Sequence, residues 1–531
     1  VRFNGLVTTS DTDNGLVTIT NDGQLTVTAT GDMDLQGAFL QDGDGVVSIA
    51  GNITTSDDDV TFESAVTLTD GVVISTGLGA GTVAFNDTLG SEASEDNTLE
   101  ITAGSGNIDF DAAVGSATDG ELGAITIVSA QNVTADSTIE AASLVQQGGT
   151  LSTLTNNVTT STGAGVNITA TDIRLDGLTI NTNTSNGIVR MNGSTRLDAA
   201  VTITRGTGAV TFTGTVDSQA NAGNTASELN NLTIDGVGGG AIAFQGDVGA
   251  AQNATPQNVG HLGAVTIATA TDLTVTDGKS FNAVSFAQQA GTNTTFGGLV
   301  NTSGQIDSTV DSVTQAVTNA NGIDIKATSV QFKQAVTTTG GGAVTIDNAG
   351  TLTINNGANF NLAGAFTQTS TGAVGTVNLG ANITTADAAV SIADAVMLTN
   401  GVTLLSTTTA TDPQVTPTTG GTVTLGAAVN SDGTARALTI GAGTGDVVFQ
   451  SAADVGTAVA AASVLASIDV SAANITLRNV TTTGTQLYTA SNLIDTNSTY
   501  ISDGANITFA GATQMNSSLV VNTGAAGGNV T

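Results

Sequence analysis

The chain contains one histidine, His261 in NVGHLGAV, and neither cysteine nor tryptophan. A catalytic or metal-bound imidazole wants partners that orient it or share its metal, and no second histidine or thiolate exists to join it. His261 therefore reads as a loop residue just ahead of an LGAVTI strand. Carboxylates number 45 but are scattered. The densest run, Asp57-Asp58-Asp59, offers the hard oxygens that a calcium ion takes. Two later repeats carry Asp387-Ala388-Ala389 and Ser185-Asn186-Gly187 at the matching place, so the run reads as a solvated turn. Calcium at such acidic corners is the one cofactor left open; no catalytic, cofactor-binding or metal residue is assigned. Glu92, Glu95 and Asp96 in GSEASEDNT read as an exposed acidic loop.

Arg174, Arg190, Arg196 and Arg205 form a local enrichment, read here as partners for nearby acids. The spacing of Arg190 and Arg196 does not by itself put them on one face. A site that cleaves or binds polysaccharide usually adds aromatic platforms; here only Tyr488 and Tyr500, near the end of the chain, supplement the phenylalanines. The glycine clusters STGLGAGTV at Ser75, DGVGGGAIAF at Asp235 and GAGTGDVVF at Gly441 lack the lysine and following helix of a phosphate loop, and read as corners. Asn-x-Ser/Thr triplets at Asn52, Asn132, Asn167, Asn382 and Asn474 are expected by chance in a chain rich in Asn and Thr.

Such sparse chemistry directs attention to what the rest of the chain builds. The formal net charge is -35, and the only lysines are Lys279, Lys326 and Lys333. Nucleic acid and anionic membrane surfaces are disfavoured, because both need cationic side chains opposite phosphates. The longest candidate for a membrane helix, VAAASVLASI from Val459, is too short to span. Without cysteine no disulfide framework exists. The chain opens on VRFNG and stops at GGNVT inside a repeat, which reads as an interior piece of something longer.

One 18-residue phrase appears four times without gaps. VTFESAVTLTDGVVISTG spans 60–77, VRMNGSTRLDAAVTITRG 189–206, VSIADAVMLTNGVTLLST 390–407 and ITFAGATQMNSSLVVNTG 507–524. In the first copy Val60, Phe62, Val66, Leu68, Val72 and Ile74 alternate with polar residues, the mark of strands with one buried face. Thr69-Asp70-Gly71 interrupts them, so each copy reads as strand, three-residue corner, strand. Other phrases recur in a kept order: LEITAGSGNIDF, LTIDGVGGGAIAF and LTIGAGTGDVVF; NITTS, NVTTS, NITTA and VTTTG; VTITNDGQLTV and VTIDNAGTLTI.

Tandem β-sandwiches would repeat at near-constant spacing, whereas these intervals are irregular. A coil that needs only its neighbours tolerates loops of any size at its corners. The expected fold is all-β: a right-handed parallel β-helix, or β-solenoid, continuous over 1–531 as a single elongated rod, with about 22 residues per coil and a length near 115 Å. Asn and Thr near corners are expected to form ladders between coils.

NITTSDDDVTF, LEITAGSGNIDF and GGGAVTIDNAGTLTI resemble the filamentous haemagglutinin-type β-helical surface proteins of bacteria, and more broadly the giant Gly/Thr/Asn-rich β-strand-repeat exoproteins. The resemblance implies export to the cell surface or beyond, and a non-enzymatic structural role in an adhesin, sheath or filament. Partners would be further copies, in fibres or bundles, or glycans of a host, neighbouring cell or matrix. Irregular inserts such as AAQNATPQNVGH from Ala250 and TATDPQVTPTTGG from Thr409 would carry any adhesion. The family's amino-terminal secretion domain is not found here, and Arg205-Gly206-Thr207 is the nearest approach to an Arg-Gly-Asp triplet. The alternative is a polysaccharide-binding or polysaccharide-cleaving β-helix.

Overall fold

The computed structural model describes residues 1–10, 15–116, 120–220, 227–249, 260–303, 321–407, 419–456, 463–496, 498–515 and 518–531. Every element among them is a β-strand, and the ladders between strands are parallel. Among the described residues one isolated bridge, Ala220 with Ser227, is antiparallel. The chain divides into two compact units, Val1–Thr271 and Asp272–Thr531. Each is a β-solenoid of stacked turns.

In the first unit the turns are triangular, with three columns of strands. Val60 stacks under Val83, Ile108, Val133, Ser152, Ile173 and Thr195 in successive turns. Val66 leads through Leu89, Val114, Ile139, Val158 and Ile180 to Ile203. Val72 leads through Leu99, Ile125, Leu144 and Val166 to Val189. Hydrogen bonds from turn to turn join residues 20 apart at Thr155 and Ala135 and 25 apart at Asn132 and Asn107, bracketing the expected coil.

In the first copy the 18-residue phrase thus covers all three faces with three strands, Val60–Phe62, Val66–Leu68 and Val72–Ser75, not two, and Val83 opens the next turn. The extra corner at Glu63-Ser64-Ala65 is hidden in the sequence because apolar alternation resumes in step beyond it. All six inward side chains are at most 2% exposed. The copies from Val189 and Val390 bury theirs equally well, Thr195 included. The copy from Ile507 does not: Thr513 and Met515 are exposed, since no described turn covers them.

The inner columns also hold the aromatics. Phe62, Phe85 and Phe110 occupy one register in three turns, with centroids 5.3 and 5.6 Å apart and rings nearly parallel, while Phe39, which pairs with Val60, sets its ring 5.3 Å from that of Phe62 at a tilt of 54°. Strand spacing imposes that contact, which adds about 0.5–1.5 kcal/mol per pair beyond area burial. Phe296 stacks on Phe332 in the second unit in the same way. No described helix is long and apolar enough to cross a membrane.

Candidate functional sites

The acidic run is tied into the stack. Asp57 adopts a left-handed conformation (φ 65°), and its Oδ1 accepts the Gly79 amide at 2.5 Å, while Asp59 Oδ1 accepts that of Thr82 at 2.7 Å. Asp387 (φ 57°) and Asn186 (φ 54°) are the matching left-handed residues, so the true counterpart of Asp57 in the second copy is Asn186, one residue further on than the sequence suggested. Asn186 accepts the Thr207 amide in the same manner at 2.8 Å, without a charge. A carboxylate is thus not required for this role. Glu92, Glu95 and Asp96 lie in an exposed loop closed at its base by Ser91 and Asn97, 3.0 Å apart.

His261 is half-buried. Its carbonyl accepts the Ser227 hydroxyl at 2.5 Å, its Nε2 is buried without a partner, and burial lowers its pKa. The four arginines do not assemble. Arg174 and Arg196 are outward neighbours in adjacent turns of the Val60 face, whereas Arg190 belongs to the Val72 face. Arg196 forms a bidentate pair with Asp198 at 2.5 and 2.9 Å, and Arg190 donates to Asn192 Oδ1 at 2.6 Å.

Arg205 corrects the expectation of an acidic partner. It is fully buried, and its guanidinium donates to two backbone carbonyls, Gly208 O at 3.0 Å and Thr269 O at 2.7 Å, leaving Nε without a partner. Desolvation lowers its pKa. A Cβ at Gly240 would come within 2.6 Å of Nη1, so glycine there makes room for the side chain.

The position of Arg205 explains a recurring phrase. At the same offset Thr76 donates to Gly81 O at 2.8 Å and Ser406 to Gly421 O at 2.5 Å. The second Thr of NITTS, Thr55, latches onto Asp58 O; that of NITTA, Thr385, onto Ala388 O. The latch threonines of the two VTTTG phrases, Thr338 and Thr482, reach Gly342 O and Gly484 O. The leading Asn of these phrases caps the next turn: Asn52 Oδ1 accepts the Val73 amide and Asn382 Oδ1 that of Thr403, each at 2.8 Å. The other triplet asparagines are similarly engaged, Asn132 with Asn107, Asn167 with Asn192 and Asn474 with Asp446. The asparagine bonds are the expected ladders between coils, whereas the threonine latches close their own corners.

The pair VTITNDGQLTV and VTIDNAGTLTI marks a buried polar corner in each unit. Gln41 Nε2 donates to Asn21 Oδ1 at 2.9 Å, and Ser64 Oγ donates to Gln41 Oε1 at 3.1 Å. In the second unit Gln368 Nε2 donates to Asn348 Oδ1 at 2.9 Å and to the buried Asp394 at 2.6 Å. A shallow open cleft of about 440 Å³ beside the first corner is lined by Leu40, Asp42, Gly43, Asp44, Glu63, Ser64 and Asp87. Glu63 there accepts the Asn86 amide group and Asp42 the Thr20 hydroxyl, each at 2.8 Å. Among the described residues no three His, Asp or Glu side chains converge to hold a metal.

Tyr488 and Tyr500 are fully buried, which removes them as sugar platforms. Tyr488 donates to Gln486 Oε1, Thr496 donates to the Tyr500 hydroxyl, and burial raises both pKa values, that of Tyr500 to about 12. Thirteen of the 15 phenylalanines are buried and the other two, Phe3 and Phe509, are half-buried. Residues 250–259 and 408–418, most of the two inserts singled out for adhesion, lie outside the described residues. No protein-family model, curated protein or solved structure matches this chain.

Proposed function

We propose that the chain is a non-enzymatic structural segment of an extracellular bacterial scaffold: an adhesin, sheath or filament of the filamentous haemagglutinin type. One observation carries this reading. The polar residues that repeat along the chain, Asp57, Asn52, Thr76, Asn382 and Ser406, are each engaged with the backbone of their own or an adjacent turn. Repetition here serves stacking. The high negative charge keeps such bodies dispersed and soluble. Burial of Tyr488 and Tyr500 weakens the polysaccharide reading.

Two measurements on native material test the proposal. Antibodies raised against the chain should label intact bacterial cells or shed fibres. Purified chain should release no reducing ends from a broad polysaccharide panel, with or without calcium. Exclusively intracellular label, or turnover abolished by one surface substitution, contradicts it.

A further inference from the structure

The copies of the 18-residue phrase do not occupy the same faces. Val60 opens the first copy on its own face. Five full turns carry that column to Ile173, and two further faces, at Ile180 and Val189, bring the chain to the second copy. Val189 therefore stands on the Val72 face, Thr195 on the Val60 face and Ile203 on the Val66 face. The second unit repeats the offset. Four turns lead from Val390 through Val423, Val447 and Ile475 to Ile494. Two faces later, past Tyr500, Ile507 lies in the column of Val402. Each block stops one face short of a whole number of turns.

The local devices travel with the block. The latch at Thr76 becomes Arg205 and the left-handed corner at Asp57 becomes Asn186. The stacked pair Phe85–Phe110, 5.6 Å between centroids, becomes Phe212–Phe244 at 5.4 Å. Asn97, whose side chain donates to Leu68 O at 3.1 Å and whose backbone amide donates to Ser91 Oγ at 3.0 Å, becomes Asn230, which donates in the same way to Leu197 O at 3.0 Å and Ser218 Oγ at 2.9 Å. Gly123 then bonds Asn97 O as Gly263 bonds Asn230 O, both at 2.9 Å.

We propose that this phrase is phase-neutral: it builds equally well from any of the three faces, so that blocks are joined in steps of a third of a turn. The physical reason is that all three faces offer the same inward Val, Ile and Leu register, and the corner devices bond largely to backbone, which is alike on every face. One consequence concerns display. Ser91 and Asn97 stand at the corner between the Val66 and Val72 faces, while their counterparts Ser218 and Asn230 stand at the corner between the Val60 and Val66 faces. A partner reading both would meet them from directions a third of a turn apart. The inference does not depend on the proposed function.

Two excisions from the full chain test it. Removing 60–172 joins Asp59 to Ile173 and deletes five whole turns, returning the chain to the same face. Removing 60–188 joins Asp59 to Val189 and shifts everything that follows by one face. Phase neutrality predicts that the second variant retains an all-β circular dichroism spectrum, protease resistance and a thermal midpoint within about 5 °C of the parent. Its stack should shorten by about 27 Å, from five and two-thirds turns at strand spacing. Folding of the 60–172 excision alone would show that phase is locked and overturn the proposal. Collapse of both would overturn it too, because neither junction would then be neutral.

Discussion

Asn186 occupies in the second copy of the repeat the place that Asp57 occupies in the first: both are left-handed, and the side-chain Oδ1 of each takes an amide hydrogen from a neighbouring turn, at 2.8 and 2.5 Å. The equivalence turns the most suggestive acidic run of the chain into a structural corner. It leads to a direct expectation. Asp57→Asn should leave the thermal midpoint unchanged to within about 2 °C, in millimolar calcium and in chelator alike. A calcium-dependent midpoint in the parent that vanishes in the variant would show that the run binds metal.

Val72 is 1% exposed and stacks beneath Leu99. Val72→Asp places an unpaired charge in the apolar column and should cost about 4 kcal/mol or more. Because turns depend mainly on their neighbours, the damage should be confined. Hydrogen exchange should rise around Ile53–Thr54, Val72–Ser75 and Leu99–Thr102, with the second unit protected as before. Val73→Asp, on the outward side, serves as the control and should behave as the parent. Equal protection in both variants would refute the inward assignment.

Arg205 holds Gly208 and Thr269 through separate guanidinium nitrogens. Arg205→Ala leaves two carbonyls without their donor and a void, and should lose about 3 kcal/mol. Arg205→Lys supplies one compact ammonium in place of a planar fork, so it should recover only part of the loss. Thr76→Val removes a single hydroxyl latch and should cost about 1 kcal/mol. Denaturant titration of the three variants gives the order; a lysine variant as stable as the parent would contradict the two-carbonyl role.

Asp109 has its pKa raised by burial and by Asp111 and Asp136, Asp217 by burial and Asp247, and Asp324 by burial and Asp347. An acid with a raised pKa binds its proton more readily in the folded state than in the unfolded chain. Folding then takes up protons, and stability rises as pH falls through the folded pKa toward the ordinary carboxylate range near 4. The thermal midpoint should accordingly rise as pH is lowered from 7 toward about 4. Asp109→Asn should raise the midpoint at pH 7 and flatten that slope. A midpoint that falls steadily over this range would contradict these assignments.

The strands and their inward faces were legible because Val60, Phe62, Val66, Leu68, Val72 and Ile74 keep a period of two. The corner at Ser64 was not, since one missing apolar position in step with the alternation looks like a continuing strand. The roles of Asn52 and Asn382 showed only as recurring letters: a side-chain bond to another turn leaves no mark in local spacing. Tyr488 and Tyr500 carried no signal of depth in the sequence, and both are interior. The shift of face between copies was invisible because all three faces use one alphabet.

The claim beneath all of these is that successive turns stack in parallel register, one strand spacing at a time. Since the chain has no cysteine, nitroxide labels can be placed cleanly at Thr61 and, in turn, at Thr134, Thr153 or Arg174, which follow it on one face after three, four and five turns. Pulsed electron spin resonance should give backbone separations of about 14, 19 and 24 Å, a constant step of one strand spacing. Distances that do not lengthen in equal steps, or that scatter as between independent domains, would contradict the stack and the structural role built on it.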